Sequence, residues 1–381
     1  MNRIKTFCRT ADWENIGIVA FYAYFAINML MKAFCYDHGT QIYKCFLLFA
    51  MMFWGVKVVT TKYSLREVFW IAVLLAVGIM LAVITKQNTW LFLFMTIIAM
   101  KNCRFHVMIQ LAVIIRTTGL VLLVGGSLLG IYDIGYAVTL NSDYVGTAVY
   151  NFAMNEPNTA YLAVFLTLLL LLYYNYERLN FWWFLGTSAV AVVFYQVTFC
   201  RTGVAVFFFC WALIIFEKVI KSKRIKAVLT LSVPVGALLS LVTMLFYNGE
   251  NSLMHLLNHF VSGRIYIMNT YYLDQGISLL PRTQQTFYAS YHGLIDNAYM
   301  FVFLYGGVIV ALFFFVLVCM TLVKLYRQGH YKELVMMGAL ALYGVLEQFV
   351  MNGFMNPFIL LCGILLYPDL RENHDKSNIT D

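Results

Sequence analysis

Four short polar motifs interrupt an otherwise apolar chain, and two of them carry arginines of the kind that bind anions. TFCRTG places Arg201 between two apolar runs, and VSGRIY places Arg264 after an amphipathic stretch. A guanidinium group binds phosphate or carboxylate through paired hydrogen bonds, so both arginines are candidate anion ligands. The structural alternatives are an interfacial side chain at Arg201 and a solvated loop residue at Arg264.

The third motif, NEPN, precedes an apolar run and supplies polar groups that can bind a sugar. Pro157 favours a helix start there, and Glu156 suits the positive end of the helix dipole. That account leaves the flanking Asn155 and Asn158 unexplained. Asparagine amides both donate and accept hydrogen bonds, as the binding of sugar hydroxyls requires. We therefore predict Asn158 and Glu156 as substrate-binding residues.

The fourth motif, HGLIDNAY, offers acid–base groups just before another apolar run. Either Asp296 or His292 can act as a general base towards a hydroxyl. The two residues lie about one helical turn apart, so both can face one cavity. Asp296 and Asn297 can instead cap a helix. The motif predicts Asp296 and His292 as catalytic candidates, with Asn297 beside them as a substrate contact.

Other ionisable residues each admit two interpretations. Arg116 interrupts an apolar run near its middle, where it can pair with Glu347 or contact a substrate. His255 and His259 have the spacing of two metal ligands on one helix face, but no third ligand accompanies them. We therefore predict no metal site and no cofactor.

The chain that holds these residues is too apolar to fold as a water-soluble protein. Of its 381 residues, 62% are hydrophobic and 12% charged, and its mean hydropathy is +0.77. A soluble domain has about 45–50% apolar and about 25% charged residues. The composition excludes a soluble enzyme, a disulfide scaffold and a disordered protein. The net charge is +8, but the sequence has no cluster of basic and aromatic residues of the kind that binds nucleic acids. No nucleic-acid partner is therefore predicted.

Apolar runs predict an all-α polytopic membrane protein with about twelve transmembrane helices. Residues 1–368 form a single integral membrane domain, and 369–381 a disordered cytoplasmic tail. The predicted spans cover residues 15–35, 42–60, 67–85, 88–101, 106–130, 158–176, 181–200, 202–220, 227–247, 297–320, 335–351 and 357–368.

The distribution of basic residues predicts that both termini are cytoplasmic. With that orientation, all but seven of the 26 lysines and arginines fall on the cytoplasmic side. The exceptions are Lys32, Lys44, Lys86, Arg116, Arg201, Arg264 and Arg282. Loops 132–157 and 248–295 are then outside, the second between spans nine and ten. The stretch Asn251–Arg264 has a helical apolar face, which predicts a helix lying on the outer membrane surface.

The order of the four motifs resembles that of the O-antigen polymerase/ligase superfamily. NEPN opens a span, CRTG joins two closely spaced spans, SGR lies in the long outer loop, and DNAYMFVFLYGG enters the next span. The resemblance extends along most of residues 140–320. It implies a fold similar to membrane glycosyltransferases of the C-type superfamily, in a bacterial cytoplasmic membrane and with the active site facing outside.

The resemblance also implies a function and roles for the candidate residues. These proteins join glycans carried on undecaprenyl diphosphate, without a metal and with inversion at the anomeric centre. Arg201 and Arg264 are then expected to hold the donor diphosphate, with Asn158 near the site. The position of Asp296 is expected to activate the acceptor hydroxyl, although His292 stays open as the base. Ligases have histidine at that position, so Asp296 favours a polymerase of capsule, exopolysaccharide or O-antigen repeats.

Two alternatives remain open from the sequence. A glycan ligase uses the same donor with another acceptor, and a flippase or other transporter moves lipid-linked oligosaccharides without joining them. Transporters place polar residues and broken helices near the membrane midplane, whereas the polar motifs here gather at predicted outer ends. Expected partners are the lipid-linked donor and acceptor and the bilayer, and a chain-length regulator and a flippase are open as protein partners.

Overall fold

A computed structural model describes residues 13–36, 40–138, 146–283 and 295–367 of the chain. Within these ranges the fold has fourteen α-helices, four 3-10 helices and one β-hairpin. The α-helices are α1 Trp13–Ala33, α2 Gln41–Thr60, α3 Leu65–Thr85, α4 Thr89–Ala99, α5 Phe105–Leu128, α6 Pro157–Tyr174, α7 Phe181–Thr198, α8 Arg201–Val219, α9 Lys223–Lys226, α10 Ser232–Leu245, α11 Ser252–Phe260, α12 Arg264–Gln275, α13 Ala298–Gln328 and α14 Tyr331–Tyr343. The remaining elements are 3-10 helices Tyr176–Arg178, Ala227–Leu231, Gln348–Met351 and Pro357–Leu365, and antiparallel strands β1 Tyr136–Val138 and β2 Ala148–Tyr150.

Nine helical segments in the described ranges are long and apolar enough to cross a membrane. They are α1, α2, α3, α5, α6, α7, α8, the stretch Lys223–Leu245 and α13, and each coincides with a predicted span. The prediction of an all-α, multi-pass membrane protein is therefore confirmed. The other three predicted spans coincide with the shorter α4 and α14 and with 3-10 turns, so a count of twelve crossings stays a prediction.

Helix α6 is the most buried of the spanning helices and carries the NEPN motif at its start. In its apolar window, 72% of the residues are buried, against 17% in α2 and in α7. Its sequence is apolar on every face, which suits a helix surrounded by other helices. Pro157 occupies its first turn, where a missing backbone N–H breaks no helical hydrogen bond. Glu156 and Asn158 therefore sit at the end of a rigid central helix.

The surface helix predicted within residues 251–264 is present as α11. Leu253, Leu256 and Phe260 all expose their side chains, and none of its residues is buried. An exposed apolar face is what a helix on a membrane surface needs, and its contact with lipid stays a prediction. Helix α12 follows directly and buries Arg264 and Met268 instead.

Helix α13 is two helices joined by a reversal at Gly307. This residue has φ 76° and ψ 168°, a conformation that side chains other than glycine rarely adopt. In one straight helix, Tyr299 and Phe315 would stand about 24 Å apart. Their ring centroids are instead 5.6 Å apart, so residues 298–306 fold back against residues 308–328. The predicted span 297–320 therefore contains a reversal.

Residues 278–282 pack into this reversal and satisfy the backbone groups that it opens. Val308 donates its N–H to the Ser278 carbonyl at 2.9 Å, and Arg282 donates its N–H to the Tyr305 carbonyl at 2.9 Å. A Cβ atom on Gly307 would lie 2.7 Å from the Leu280 carbonyl oxygen. The close approach of the loop therefore requires glycine at this position.

The chain after α13 enters the bundle from the predicted cytoplasmic side and returns to it. At the start of α14, Glu333 accepts a 2.6 Å hydrogen bond from Tyr173, which lies in the last turn of α6. At the far end, Tyr367 donates to the Ile98 carbonyl near the end of α4 at 2.9 Å. Residues 344–356, here called the tip segment, thus form the turn of a hairpin at the opposite end of the bundle, rather than part of a straight span.

Candidate functional site

Arg264 owes its position to a left-handed turn between α11 and α12. Ser262 and Gly263 have φ values of 57° and 84°, and the Gly263 N–H donates to the Asn258 carbonyl at 2.8 Å. The Asn258 side chain in turn accepts from the backbone N–H of Tyr266 at 2.9 Å, which caps the first turn of α12. The SGR motif therefore ends one helix and starts the next with its arginine.

Arg264 binds two carboxylates that come from distant parts of the chain. Its Nε donates to Asp296 Oδ2 at 3.2 Å, and Nη2 donates to Glu347 Oε1 at 2.6 Å. Asp296 directly precedes α13, and Glu347 lies in the tip segment. We call these three residues the triad. It brings together the loop that holds α11 and α12, the start of α13 and the tip segment.

The triad is largely shielded from water. The side chain of Arg264 is 9% exposed, that of Glu347 17% and that of Asp296 32%. Burial lowers the pKa of Arg264, but the carboxylates of Glu347 and Asp296 outweigh it and hold the pKa above its ordinary value. Arg264 is therefore a permanent cation, and Asp296 is the carboxylate of the triad that solvent or a substrate reaches best.

A polar cavity of about 380 Å³ lies at the turn that precedes Arg264. It lies between the first residue of α8 and the end of α11, and its lining residues are Arg201, His255, Asn258, His259, Ser262 and Gly263. We call it the arginine cavity. Its wall reaches Gly263, which precedes Arg264 in the chain. The start of α8 adds the positive end of a helix dipole, which favours an anion.

Two buried polar atoms near this junction have no hydrogen-bond partner among the described residues. They are Nη1 of Arg264 and the hydroxyl of Tyr161. A buried polar group without a partner costs about 1–3 kcal/mol, so each such group needs a physical explanation. Tyr161 packs against Gly203 of the CRTG motif so closely that a Cβ atom there would overlap its ring. The motif thus packs Tyr161 of α6 against the first turn of α8, which begins at Arg201.

The structure assembles some of the predicted site residues. Arg264 and Asp296 are in direct contact, and Arg201 lines the adjoining cavity. Glu156 and Asn158 are exposed at the start of α6, and Glu156 lies within electrostatic range of Glu347. His292 lies outside the described residues.

Asn297 is fully buried and holds protein groups instead of facing the cavity. Its amide donates to Ser240 Oγ at 2.8 Å and to the Val345 carbonyl at 2.7 Å, and its oxygen accepts from the Met300 N–H at 2.9 Å. With no exposed surface, it offers nothing to a substrate in this conformation. These contacts fix Asp296 relative to α10 and the tip segment, so the geometry favours a positioning role.

Arg116 does not pair with Glu347, which the sequence had offered as one of its two interpretations. Its Nη2 donates to the Phe354 carbonyl at 3.1 Å, and Nε has no partner among the described residues. Glu347 binds Arg264 instead. Arg116 is 4% exposed, so it supports the tip segment from within.

Glu347 is the site residue to which the sequence assigned no function of its own. A carboxylate inside the apolar run 335–351 is costly in a membrane, and that cost alone marks it as a functional candidate. The sequence could not name Arg264 as its partner, because the two lie in elements that meet only through the fold. His255 and His259 share the arginine cavity, and no group of three possible metal ligands occurs among the described residues.

The fold and the site together define a multi-pass membrane protein with an ionic centre and an adjoining anion-sized cavity. No family model, no curated protein and no solved structure matches the chain significantly.

Proposed function

We propose that this protein polymerises undecaprenyl-diphosphate-linked oligosaccharide repeat units into a surface polysaccharide. The reaction is an inverting glycosyl transfer without a metal, at the outer face of a bacterial cytoplasmic membrane. One observation carries the proposal: Arg264, which holds the Asp296 carboxylate, directly follows the turn that lines a polar cavity containing a second arginine, Arg201. A base next to an anion site is the arrangement that this reaction needs.

In the proposed reaction, an acceptor sugar hydroxyl attacks the anomeric carbon of the donor. A new C–O bond forms, the bond to the lipid diphosphate breaks, and its electron pair leaves with the diphosphate. The hydroxyl proton passes to Asp296, the more exposed carboxylate of the triad. Because the leaving group is already an anion, fixed cations suffice to stabilise the charge that gathers on it.

The two arginines have unequal roles in this proposal. The charge of Arg264 is offset by Asp296 and Glu347, and its Nη1, which has no partner among the described residues, is itself buried. Arg201 lines the cavity at the start of α8. We therefore assign most of the diphosphate binding to Arg201, and assign Arg264 chiefly to holding the two carboxylates.

The decisive experiment is an assay of purified protein in lipid nanodiscs with undecaprenyl-diphosphate-linked repeat units. We expect a ladder of products that persists in excess EDTA. Asp296→Asn keeps the shape but cannot accept a proton, so the rate should fall by about 10²–10⁴-fold. Glu250→Gln, an exposed change in the same outer loop, is the matched control and should keep full activity.

Different results would overturn the proposal. Absence of any ladder with every lipid-linked repeat unit tested would remove the polymerase function. A single addition to a different acceptor would indicate the ligase instead. Full activity of Asp296→Asn would exclude Asp296 as the base.

A second candidate function is the transport of lipid-linked oligosaccharides across the membrane. The reversal of α13 at Gly307 and the irregular tip segment favour it, because transporters often bind substrates at broken helices. Proteoliposomes loaded with a fluorescent lipid-linked glycan separate the two functions. Translocation without chain growth would support transport, whereas chain growth without translocation supports the polymerase.

A further inference from the structure

A second polar cavity, distinct from the arginine cavity, collects lysines from three helices. It has a volume of about 460 Å³ and is lined by Lys32 near the end of α1, Lys44 near the start of α2 and Lys86 just after α3. We call it the lysine cavity. The three lysines are also the only lysines that the topology prediction leaves on the outer side. They therefore converge on one place in the fold.

The rest of the lining suits an oxyanion. Amide and hydroxyl groups come from Asn28, Tyr43, Gln87, Asn88 and Asn352, and no Asp or Glu lines the cavity among the residues that the structure describes. Helix α4 begins at Thr89 in the cavity wall, and its N-cap Asn88 makes no side-chain capping bond. The first N–H groups of α4 thus add to the positive potential.

Interfacial lysines that reach into water are the ordinary alternative. Such lysines are expected to point away from one another, because like charges repel. Here they line one cavity together with hydrogen-bonding amides, and Lys86 ends α3 in a left-handed backbone with φ 60°.

The tip segment joins the lysine cavity to the triad. Glu347 belongs to the triad, and Asn352 and Phe354 line the lysine cavity. Arg116 holds the Phe354 carbonyl at 3.1 Å, which fixes this end of the segment. Five residue steps separate Glu347 from Asn352, so they span at most about 18 Å. That is a distance which a short oligosaccharide covers.

We propose that the lysine cavity binds the diphosphate headgroup of a second lipid-linked saccharide. The recognised chemistry is a diphosphate oxyanion, bound by three ammonium groups and the start of α4. The identity of this ligand as the acceptor rests on the proposed polymerase function, because only a reaction between two lipid-linked substrates needs two such sites. The donor then occupies the arginine cavity, and the tip segment links the lysine cavity to the triad.

The first test measures binding of inorganic pyrophosphate to the purified full-length chain by isothermal titration calorimetry. We expect two sites in the unmodified protein. The triple variant Lys32→Gln, Lys44→Gln, Lys86→Asn should lose one of them, with its affinity weakened at least about tenfold. Asparagine is chosen at 86 because it tolerates a left-handed backbone.

The matched control removes three exposed lysines from the predicted cytoplasmic side, in the variant Lys62→Gln, Lys221→Gln, Lys223→Gln. It changes the net charge equally and should keep both sites. Arg201→Lys should weaken the other site and leave the lysine cavity unaffected. Equal pyrophosphate binding by the unmodified protein and the first triple variant would overturn the proposal.

A second test separates a lipid-linked substrate from an ordinary lipid headgroup. Undecaprenyl diphosphate should compete with pyrophosphate for the lysine cavity, whereas phosphatidylglycerol in the nanodisc should not. Displacement by phosphatidylglycerol at bilayer concentrations would assign the cavity to a bilayer lipid and overturn the acceptor role.

Turnover gives the third test. In the polymerase assay the lysine triple variant should raise the KM for the acceptor at least about tenfold, while kcat at saturating acceptor stays within about twofold. A lower kcat with unchanged KM would contradict the proposal. If the unmodified protein makes no polymer, the proposed function fails, but the pyrophosphate stoichiometry still decides whether the anion site exists.

Discussion

Arg264 is buried between two carboxylates, whereas the lysines of the second cavity share a space lined by amides. The triad holds three separate segments of the chain in one geometry. The positive charge of Arg264 is offset by the two carboxylates that it holds. The lysine cavity places flexible ammonium groups around an opening large enough for a ligand. The comparison indicates a division of labour, in which one cluster of charge positions groups and the other captures an anion.

The largest effect is expected from removing the cation of the triad. Arg264→Ala leaves Asp296 and Glu347 close together without a counter-charge, which should cost about 3–5 kcal/mol of folding free energy. We expect a clearly lower unfolding temperature in detergent. Lys32→Ala, which also removes one cation, should change it little. An unchanged unfolding temperature for Arg264→Ala would show that the triad does not hold the fold.

Because Arg264→Ala is expected to fold poorly, a paired variant sharpens this prediction. Replacing both members of a buried ion pair with apolar residues is often neutral, since no unpaired charge is left. Arg264→Met with Glu347→Leu should therefore be more stable than Arg264→Met alone. Equal stability of the two variants would indicate that Glu347 and Arg264 are not coupled.

A smaller effect is expected at Arg201, and on catalysis rather than on stability. Arg201→Lys keeps the charge but loses the planar fork that can hold two oxygens of a diphosphate. The rate of polymer formation should fall by roughly 30- to 1,000-fold, equivalent to about 2–4 kcal/mol of transition-state stabilisation. The unfolding temperature should stay the same. A normal polymer yield at matched expression would show Arg201 to be an interfacial anchor.

The third effect concerns the reversal that brings Asp296 to the triad. In Gly307→Ala, the new methyl group would meet the Leu280 carbonyl, and the backbone would be strained at φ 76°. We expect a loss of about 1–3 kcal/mol of stability, by analogy with overpacking and strained backbone sites. Gly186→Ala in α7 meets no atom within contact distance and serves as the control. A larger loss at Gly186 would contradict this account.

The spanning helices could be predicted from the sequence, but this reversal could not. Nine apolar runs gave nine long helices, because the cost of exposing backbone groups to lipid leaves few other structures. Residues 298–306 and 308–328 are equally apolar, and hydropathy carries no sign of a change in direction. The reversal depends on Gly307 and on the loop that packs against it, which is a tertiary contact.

Individual charged residues of the candidate site could be predicted from the sequence, but the ion pairs that they form could not. Arg264 and Asp296 stand out as charged residues beside apolar runs, and the structure places them 3.2 Å apart. Glu347 carries the same mark, yet the sequence offered Arg116 as its partner. Lys32 and Lys86 each look like ordinary interfacial lysines along the chain. Only the packing of α1 to α4 shows that they share a cavity.

The smallest effect, and the finest test of the comparison, is the response of the two anion sites to salt. Ammonium groups in an open cavity act mainly as screened charges, and the Debye length falls from about 10 Å at 0.1 M to about 3 Å at 1 M salt. Arg201 adds a directional hydrogen-bonding fork next to the shielded triad, which salt screens less. Pyrophosphate affinity should therefore fall more steeply with salt in Arg201→Lys, where the lysine cavity dominates, than in the lysine triple variant. Calorimetric titrations at 0.1 M and 0.5 M sodium chloride measure both slopes. Equal slopes would mean that both cavities bind by charge alone, and the division of labour between them would be lost.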